Sequence, residues 1–159
     1  VRIADSPVFD VSSGFAYEAW IKPYSFVNSY NMFMGHYLPY FNVRSWGKLH
    51  GSAVFDGSQR SVYGSTLLEA NKWYHVILTW KSGDKMKIYL NGKLDAEAGP
   101  YNTIRNYNSN MYVGKWHSGS DNFFIGLIDS VRIYGQGLSL AQVKRLYAEG
   151  AKKHGLANK

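Results

Sequence analysis

The run KWYHVILTWK, residues 72–81, sets Tyr74, Val76, Leu78 and Trp80 at every second position. Side chains that repeat with period two emerge on one face of an extended chain, so the run reads as a strand laid against a core. The same period recurs. GFAYEAWIKP, 14–23, alternates Phe15, Tyr17, Ala19 and Ile21 with Ala16, Glu18 and Trp20, and Pro23 closes it. Further strands are expected within 32–46, where Pro39 marks a bend or an edge, and at 48–57, 61–68, 85–94, 111–116 and 123–135. Asp56-Gly57 is a turn pair. Asn91-Gly92, flanked by apolar alternation, signals a hairpin because both residues tolerate positive φ. Residues 95–110, rich in Pro and Asn, read as a loop.

One segment breaks the pattern. Ser139 is a good N-cap, Gln142 completes a capping box, and Leu140, Val143, Leu146 and Tyr147 share one face. Gly150 sits where a helix C-terminus wants glycine. This predicts a short amphipathic helix packed on a sheet edge. About nine close-spaced strands and one helix make the chain all-β, a two-sheet antiparallel sandwich with one short C-terminal helix. Its 159 residues suit a single domain, expected over 1–150, with a frayed basic tail over 151–159.

Composition narrows the function. There are no cysteines, which excludes disulfides, thiolate metal sites and Cys nucleophiles. The net charge of +7 is partly local, since Lys152, Lys153 and Lys159 lie in the tail; no basic cluster is dense enough for a nucleic-acid footprint. No run of about 18 apolar residues is present, so no membrane insertion is expected within this segment. The five His show no zinc spacing, and His36 and His50 read as ordinary polar residues on an exposed face. No Gly-x-Ser-x-Gly elbow occurs. Retaining glycoside hydrolysis needs two carboxyls about 5–5.5 Å apart. Glu18, Glu69, Glu97, Glu149 and the seven Asp are scattered, with no two close together on an expected strand, so an enzyme is not expected.

Three stretches, in order, carry a family likeness. FAYEAWIKP, NKWYHVILTWKSGDKMKIYLNGKL and FFIGLIDSVRIYGQGLSLAQVKRLY resemble the motifs of LamG-like domains in the concanavalin A-like lectin/glucanase superfamily, across residues 3–147. The resemblance implies a jelly roll with one concave and one convex sheet, an extracellular or cell-surface location within a larger protein, and glycan binding or adhesion. It matches His75 to a buried His bonded to backbone, and reads Trp20, Trp73 and Trp80 as core. It also implies a structural Ca²⁺ at Asp129, although Ser130 stands where the family has a second Asp.

GHYLPYFNVRSWGKLHG, 35–51, then becomes the candidate site. If Phe41 and Val43 point inward, Tyr40, Asn42, Arg44 and Trp46 point outward together. His50 and Ser52 share that face if Leu49, Gly51 and Ala53 face the core. Tyr63 and Trp116 flank it, and His117, Asp121 and Asn122 form a rim. Rings take the C–H patches of a sugar while amide, guanidinium and imidazole take its hydroxyls. Arg44, His50 and Lys48 also suit an acidic sugar. The expected ligand set is Tyr40, Asn42, Arg44, Trp46, His50, Tyr63, Trp116 and His117, binding a polysaccharide or glycoconjugate on the concave face without catalysis. Against this stand a face covered by Tyr101 and Tyr107 of the loop, and a structural or adhesive head domain of a surface or pilin-like protein, whose C-termini the ending LYAEGAKKHGLANK resembles.

Overall fold

A computed structural model describes residues 1–117 and 122–156. Among them lie eleven strands: β1 (Arg2–Ile3), β2 (Gly14–Pro23), β3 (Tyr30–Gly35), β4 (Tyr40–Arg44), β5 (Leu49–Phe55), β6 (Ser58–Tyr63), β7 (Tyr74–Lys81), β8 (Asp84–Leu90), β9 (Lys93–Tyr101), β10 (Met111–Val113) and β11 (Gly126–Tyr134). One helix, α1 (Leu140–Ala151), follows. The strands form a six-stranded sheet, β1-β10-β3-β4-β5-β6, and a five-stranded sheet, β11-β2-β7-β8-β9. All neighbouring strands run antiparallel. The all-β, two-sheet jelly-roll expectation is borne out.

The core lies between the sheets. Phe15, Tyr17, Ala19 and Ile21 of β2 and Tyr74, Val76, Leu78 and Trp80 of β7 face Phe41 and Val43 of β4 and Leu49 and Ala53 of β5. The period-two reading named this face of β7, and the inward settings taken as conditions for Phe41, Val43, Leu49 and Ala53 hold. Burying a large apolar side chain is worth about 1.5–3 kcal/mol, so these rows hold the sheets together. Asn91 (φ 49°) and Gly92 (φ 77°) turn β8 into β9, and Asp56 (φ 48°) and Gly57 (φ 78°) turn β5 into β6, in the left-handed conformation such turns require.

Several boundaries differ from expectation: β10 ends at Val113, short of 116, and β11 begins at Gly126, not at 123. β6 starts immediately after Asp56-Gly57 and ends at Tyr63, short of the expected Leu68. Residues 95–101 belong to β9, not to a loop. Pro100 is tolerated there because β9 is a sheet edge, where a missing N–H need not break a ladder.

The helix begins as read. Ser139 Oγ accepts from the Gln142 amide at 3.3 Å, and Gln142 Oε1 accepts from the Ser139 amide at 2.8 Å. It does not pack on an edge. Val143 and Leu146 lie over the outer face of the five-stranded sheet, on Ala16, Ile77 and Tyr89. Nor does Gly150 end it. A Cβ at that position would lie 2.4 Å from Trp20 Nε1, so glycine lets the helix settle onto the indole. Trp20 is accordingly buried beneath the helix, not between the sheets, and Trp73 is only half-buried. The stretch expected to fray packs as well. His154 is buried, stacked on Trp20 at 4.2 Å and against Trp73 at 4.4 Å. Residues 157–159 lie outside the described residues.

Under the same cover lies a buried carboxylate. Glu18 is fully shut off from solvent. It accepts from His75 Nε2 at 3.0 Å, from Arg132 Nη1 at 3.2 Å and from Tyr134 Oη at 2.6 Å. His75 therefore bonds a carboxylate, not the backbone acceptor expected of it. Burial works against the Glu18 charge, but the His75 and Tyr134 hydrogen bonds and the His75 and Arg132 charges outweigh it and hold the carboxyl below its ordinary value.

Removing this acid strands the buried His75 and the half-buried Tyr134, while the exposed Arg132 can turn to solvent, so Glu18→Ala is expected to cost about 3 kcal/mol in urea unfolding. A carboxyl whose folded pKa is depressed contributes stability above its unfolded pKa of about 4.3, and that stability is lost as pH falls through the folded value. Wild type should therefore lose stability on acidification more steeply than Glu18→Gln. Parallel pH profiles for the two would contradict this role.

Candidate functional site

The outer face of the six-stranded sheet collects the expected site residues. Asn42, His50 and Tyr63 form one row across β4, β5 and β6, and Tyr40, Ser52 and Ser61 form the next. Phe41 and Val43 of β4, Leu49 and Ala53 of β5 and Val62 of β6 face the core, which is why the even positions of β4 and β5 and the odd positions of β6 share the outer surface. Tyr30 of β3 stands opposite Arg44. The set is not uniformly open. Trp46 and Tyr63 are each 50% exposed, Arg44, Trp116 and His117 are intermediate, and Tyr40, Asn42 and His50 are buried. His36 is buried too, edge-on to Phe9 at 5.1 Å. The exposed-face expectation for His36 and His50 is thus corrected: outward-pointing residues here are roofed by neighbouring rings.

That roof is continuous. His50 stacks on Tyr63 at 4.4 Å and meets Tyr40 at 5.5 Å; Tyr40 meets Trp116 edge-on at 5.0 Å. Trp116 contacts His117 at 4.6 Å, and His117 stacks on Tyr37 at 5.0 Å. The Arg44 guanidinium lies over the Tyr30 ring at 3.8 Å and the Trp46 ring at 4.6 Å. Tyr107 joins the roof beside Tyr37 at 5.1 Å. Tyr101 does not: it stacks on Phe55 at 4.7 Å on the core side. Asp121 lies outside the described residues.

Between the rings opens a cavity of about 200 Å³. Tyr30, Tyr37, Tyr40 and Trp116 wall it, Leu38 contributes an apolar patch, and Gln59 and Asn122 supply amides. Gln59 Nε2 donates to Ser52 Oγ at 3.0 Å and to Tyr40 Oη at 3.4 Å. Tyr30, Tyr37 and Gln59 were not among the expected site residues. The signal for Tyr30 was its pairing with Arg44, hidden by the irregular register between Met32 and Met34.

Beneath the roof the polar groups are incompletely paired. Asn42 Nδ2 donates to His50 Nδ1 at 3.2 Å, which leaves the ring proton on His50 Nε2. That nitrogen, Asn42 Oδ1 and Arg44 Nε are buried without partners among the described residues. Burial, reinforced by the Arg44 charge, pushes His50 down to about 4, so it is uncharged at neutral pH. Burial also holds His117 below its ordinary value and Tyr40 above its own.

The laminin G family model of the concanavalin A-like lectin/glucanases superfamily matches residues 1–144. The chain belongs to that superfamily. Among solved structures, a candidate carbohydrate-binding protein from Bacteroides ovatus is similar, at 25% identity and TM-score 0.74, covering 91% of this chain and 44% of that one. The binding domain of botulinum neurotoxin serotype G (14%, TM-score 0.69, 94% and 42%) and a heptameric pentraxin from Limulus polyphemus (16%, TM-score 0.59, 92% and 74%) share the fold. A human adhesion G-protein coupled receptor, D1, is 28% identical over 87 residues, 53% of this chain and 10% of the receptor. The chain thus spans less than half of the relatives it matches here, the pentraxin excepted.

The calcium expected at Asp129 meets a poor donor set. Asp129 Oδ2 is 2.6 Å from Lys153 Nζ and 3.4 Å from His154 Nε2, and Oδ1 accepts from the Ser130 amide. The described residues hold no group of three or more acids or histidines placed for a metal. Calcium wants six to eight oxygens, and here an ammonium already occupies the carboxylate, so the residues do not fit the ion. The Lys153 hydrogen bond is also what chiefly lowers the Asp129 pKa. Accordingly the melting temperature of a chelator-treated sample should not change when calcium is added. A rise that tracks calcium concentration would overturn the assignment.

Proposed function

We propose that this domain is a non-catalytic, lectin-like module of an extracellular or cell-surface protein, and that the ring-walled cavity on the outer face of the six-stranded sheet takes a sugar. The observation that carries this is the cavity's lining. Tyr30, Tyr37, Tyr40 and Trp116 offer flat apolar faces to sugar C–H groups, while Gln59 and Asn122 can both donate to and accept from hydroxyls. A mostly apolar hollow with a few convergent polar groups is the usual form of a small-ligand site. The similar Bacteroides ovatus protein, a candidate carbohydrate binder, supports the reading, as does membership of a lectin/glucanase superfamily. The described residues lining the cavity include no carboxylate, so the acid pair of a retaining glycosidase has no counterpart among them.

The match to a human adhesion receptor favours a second reading, an adhesive head domain whose partner is a protein. Affinity electrophoresis through gels carrying neutral or acidic polysaccharides separates the two. Retardation by at least one polysaccharide, weakened about tenfold by Trp116→Ala or Tyr37→Ala, is the expected result. Retardation identical for wild type and both variants would overturn the cavity assignment, and no retardation on any gel would leave the adhesive reading.

A further inference from the structure

We infer that the ligand is an uncharged saccharide chain several units long, laid across two stations of this face, and not a single terminal or acidic sugar. The inference rests on the carbohydrate-binding reading and narrows it.

The first station is the cavity walled by Tyr30 and Trp116. The second is the pair Trp46 and Tyr63, each 50% exposed, with ring centroids 6.4 Å apart and planes 32° from parallel. Two large half-exposed rings tilted toward one another leave apolar surface open to water, which a soluble domain retains at a cost unless something covers it. Arg44 and Tyr30 join the stations. The guanidinium stacks on Trp46 and on Tyr30, and the Tyr30 ring continues the line to Trp116 at 6.4 Å, nearly parallel at 25°. Ring, guanidinium and ring therefore make one continuous line of contacts from Trp46 to the cavity. A single sugar ring cannot touch both ends of it; a linked chain can.

Charge favours the neutral chain over the acidic one. A polyanionic chain carries a charge at each repeat, so both stations would need a cation free to meet it. The cavity is lined by Tyr, Leu, Gln, Trp and Asn, none of them charged. Along this line the cation is Arg44, whose guanidinium is held between two rings and whose Nε is buried. The imidazole beneath it, His50, carries no charge at neutral pH. Arg44 spends the faces of its guanidinium on Tyr30 and Trp46 and so joins the two rings. The buried, unpartnered Asn42 Oδ1 and His50 Nε2 lie under the same line of contacts and leave an acceptor and a donor in reach of hydroxyls if the covering rings shift.

The test is a titration by calorimetry with soluble gluco-, manno-, xylo- and galacto-oligosaccharide ladders, one to six units long, beside a matching oligouronate ladder. For whichever neutral ladder binds, affinity should climb with length over at least three units and then level off. Trp46→Ala and, independently, Tyr63→Ala should weaken the longest ligand about tenfold yet leave the shortest binder unchanged. Both rings are half exposed, so the variants are expected to fold, and circular dichroism confirms this before titration. Affinity should also hold at ~1 M salt, where screening acts within about 3 Å. Equal affinity for short and long ligands, preference for the uronates, or loss of binding with salt would overturn this inference while leaving carbohydrate binding intact. Failure of every ladder, neutral and acidic, would overturn both.

Discussion

Every strand must send half of its side chains away from the core, because the pleated backbone alternates. In this protein many of those outward side chains are not surface residues. On one sheet they are Glu18, Trp20, His75 and Ile77; on the other, Tyr40, Asn42, His50 and Ser52, and all eight are buried. Both sheets therefore need an outer cover, and the rest of the molecule is arranged by how each gets one. The five-stranded sheet receives α1 and the segment that follows it, seated on Trp20 through Gly150 and His154. The six-stranded sheet receives no separate element among the described residues. Rings from its own strands and from neighbouring loops close over it, and between Tyr30, Tyr37, Tyr40 and Trp116 they leave a cavity.

The two outer faces treat buried polarity differently. Glu18 is answered by an imidazole, a guanidinium and a phenol, as a structural charge must be if burying it is not to destabilise the fold. Beneath the ring roof, by contrast, an amide oxygen, a ring nitrogen and a guanidinium nitrogen are left without partners among the described residues. An unmet buried polar group costs about 1–3 kcal/mol, and folded proteins keep few of them. The helix-covered face leaves His75 Nδ1 without a partner as well, but its buried charge is met, whereas the ring-roofed face leaves part of a guanidinium unmet.

Much of this was legible because alternation is a property of the backbone. The core faces of β2 and β7 follow from position parity alone, and the turns from Asp56-Gly57 and Asn91-Gly92. So does the grouping of Tyr40, Asn42, Arg44 and Trp46. What parity does not convey is whether an outward residue meets water. Asn42 and His50 point outward and are buried, because Tyr30 and Tyr63 lie over them from neighbouring strands, a fact of register between distant segments. The same limit hid Tyr30, Tyr37 and Gln59. Gly150 misled for a related reason: its local sequence reads as a helix end, while its role is contact with Trp20, 130 positions earlier in the chain. Residues 95–101 misled because Pro and Gly punctuate loops in general but are tolerated in an edge strand.

The five tryptophans divide between the two outer faces and the core, and each carries an indole N–H that reports its own surroundings. The most direct test follows those five resonances by ¹H–¹⁵N NMR while a neutral oligosaccharide is added. The account predicts that Trp116 and Trp46 move and that Trp20, Trp73 and Trp80 stay in place. Movement of Trp20 and Trp73, with Trp116 and Trp46 unmoved, would put the ligand on the helix-covered sheet and contradict it.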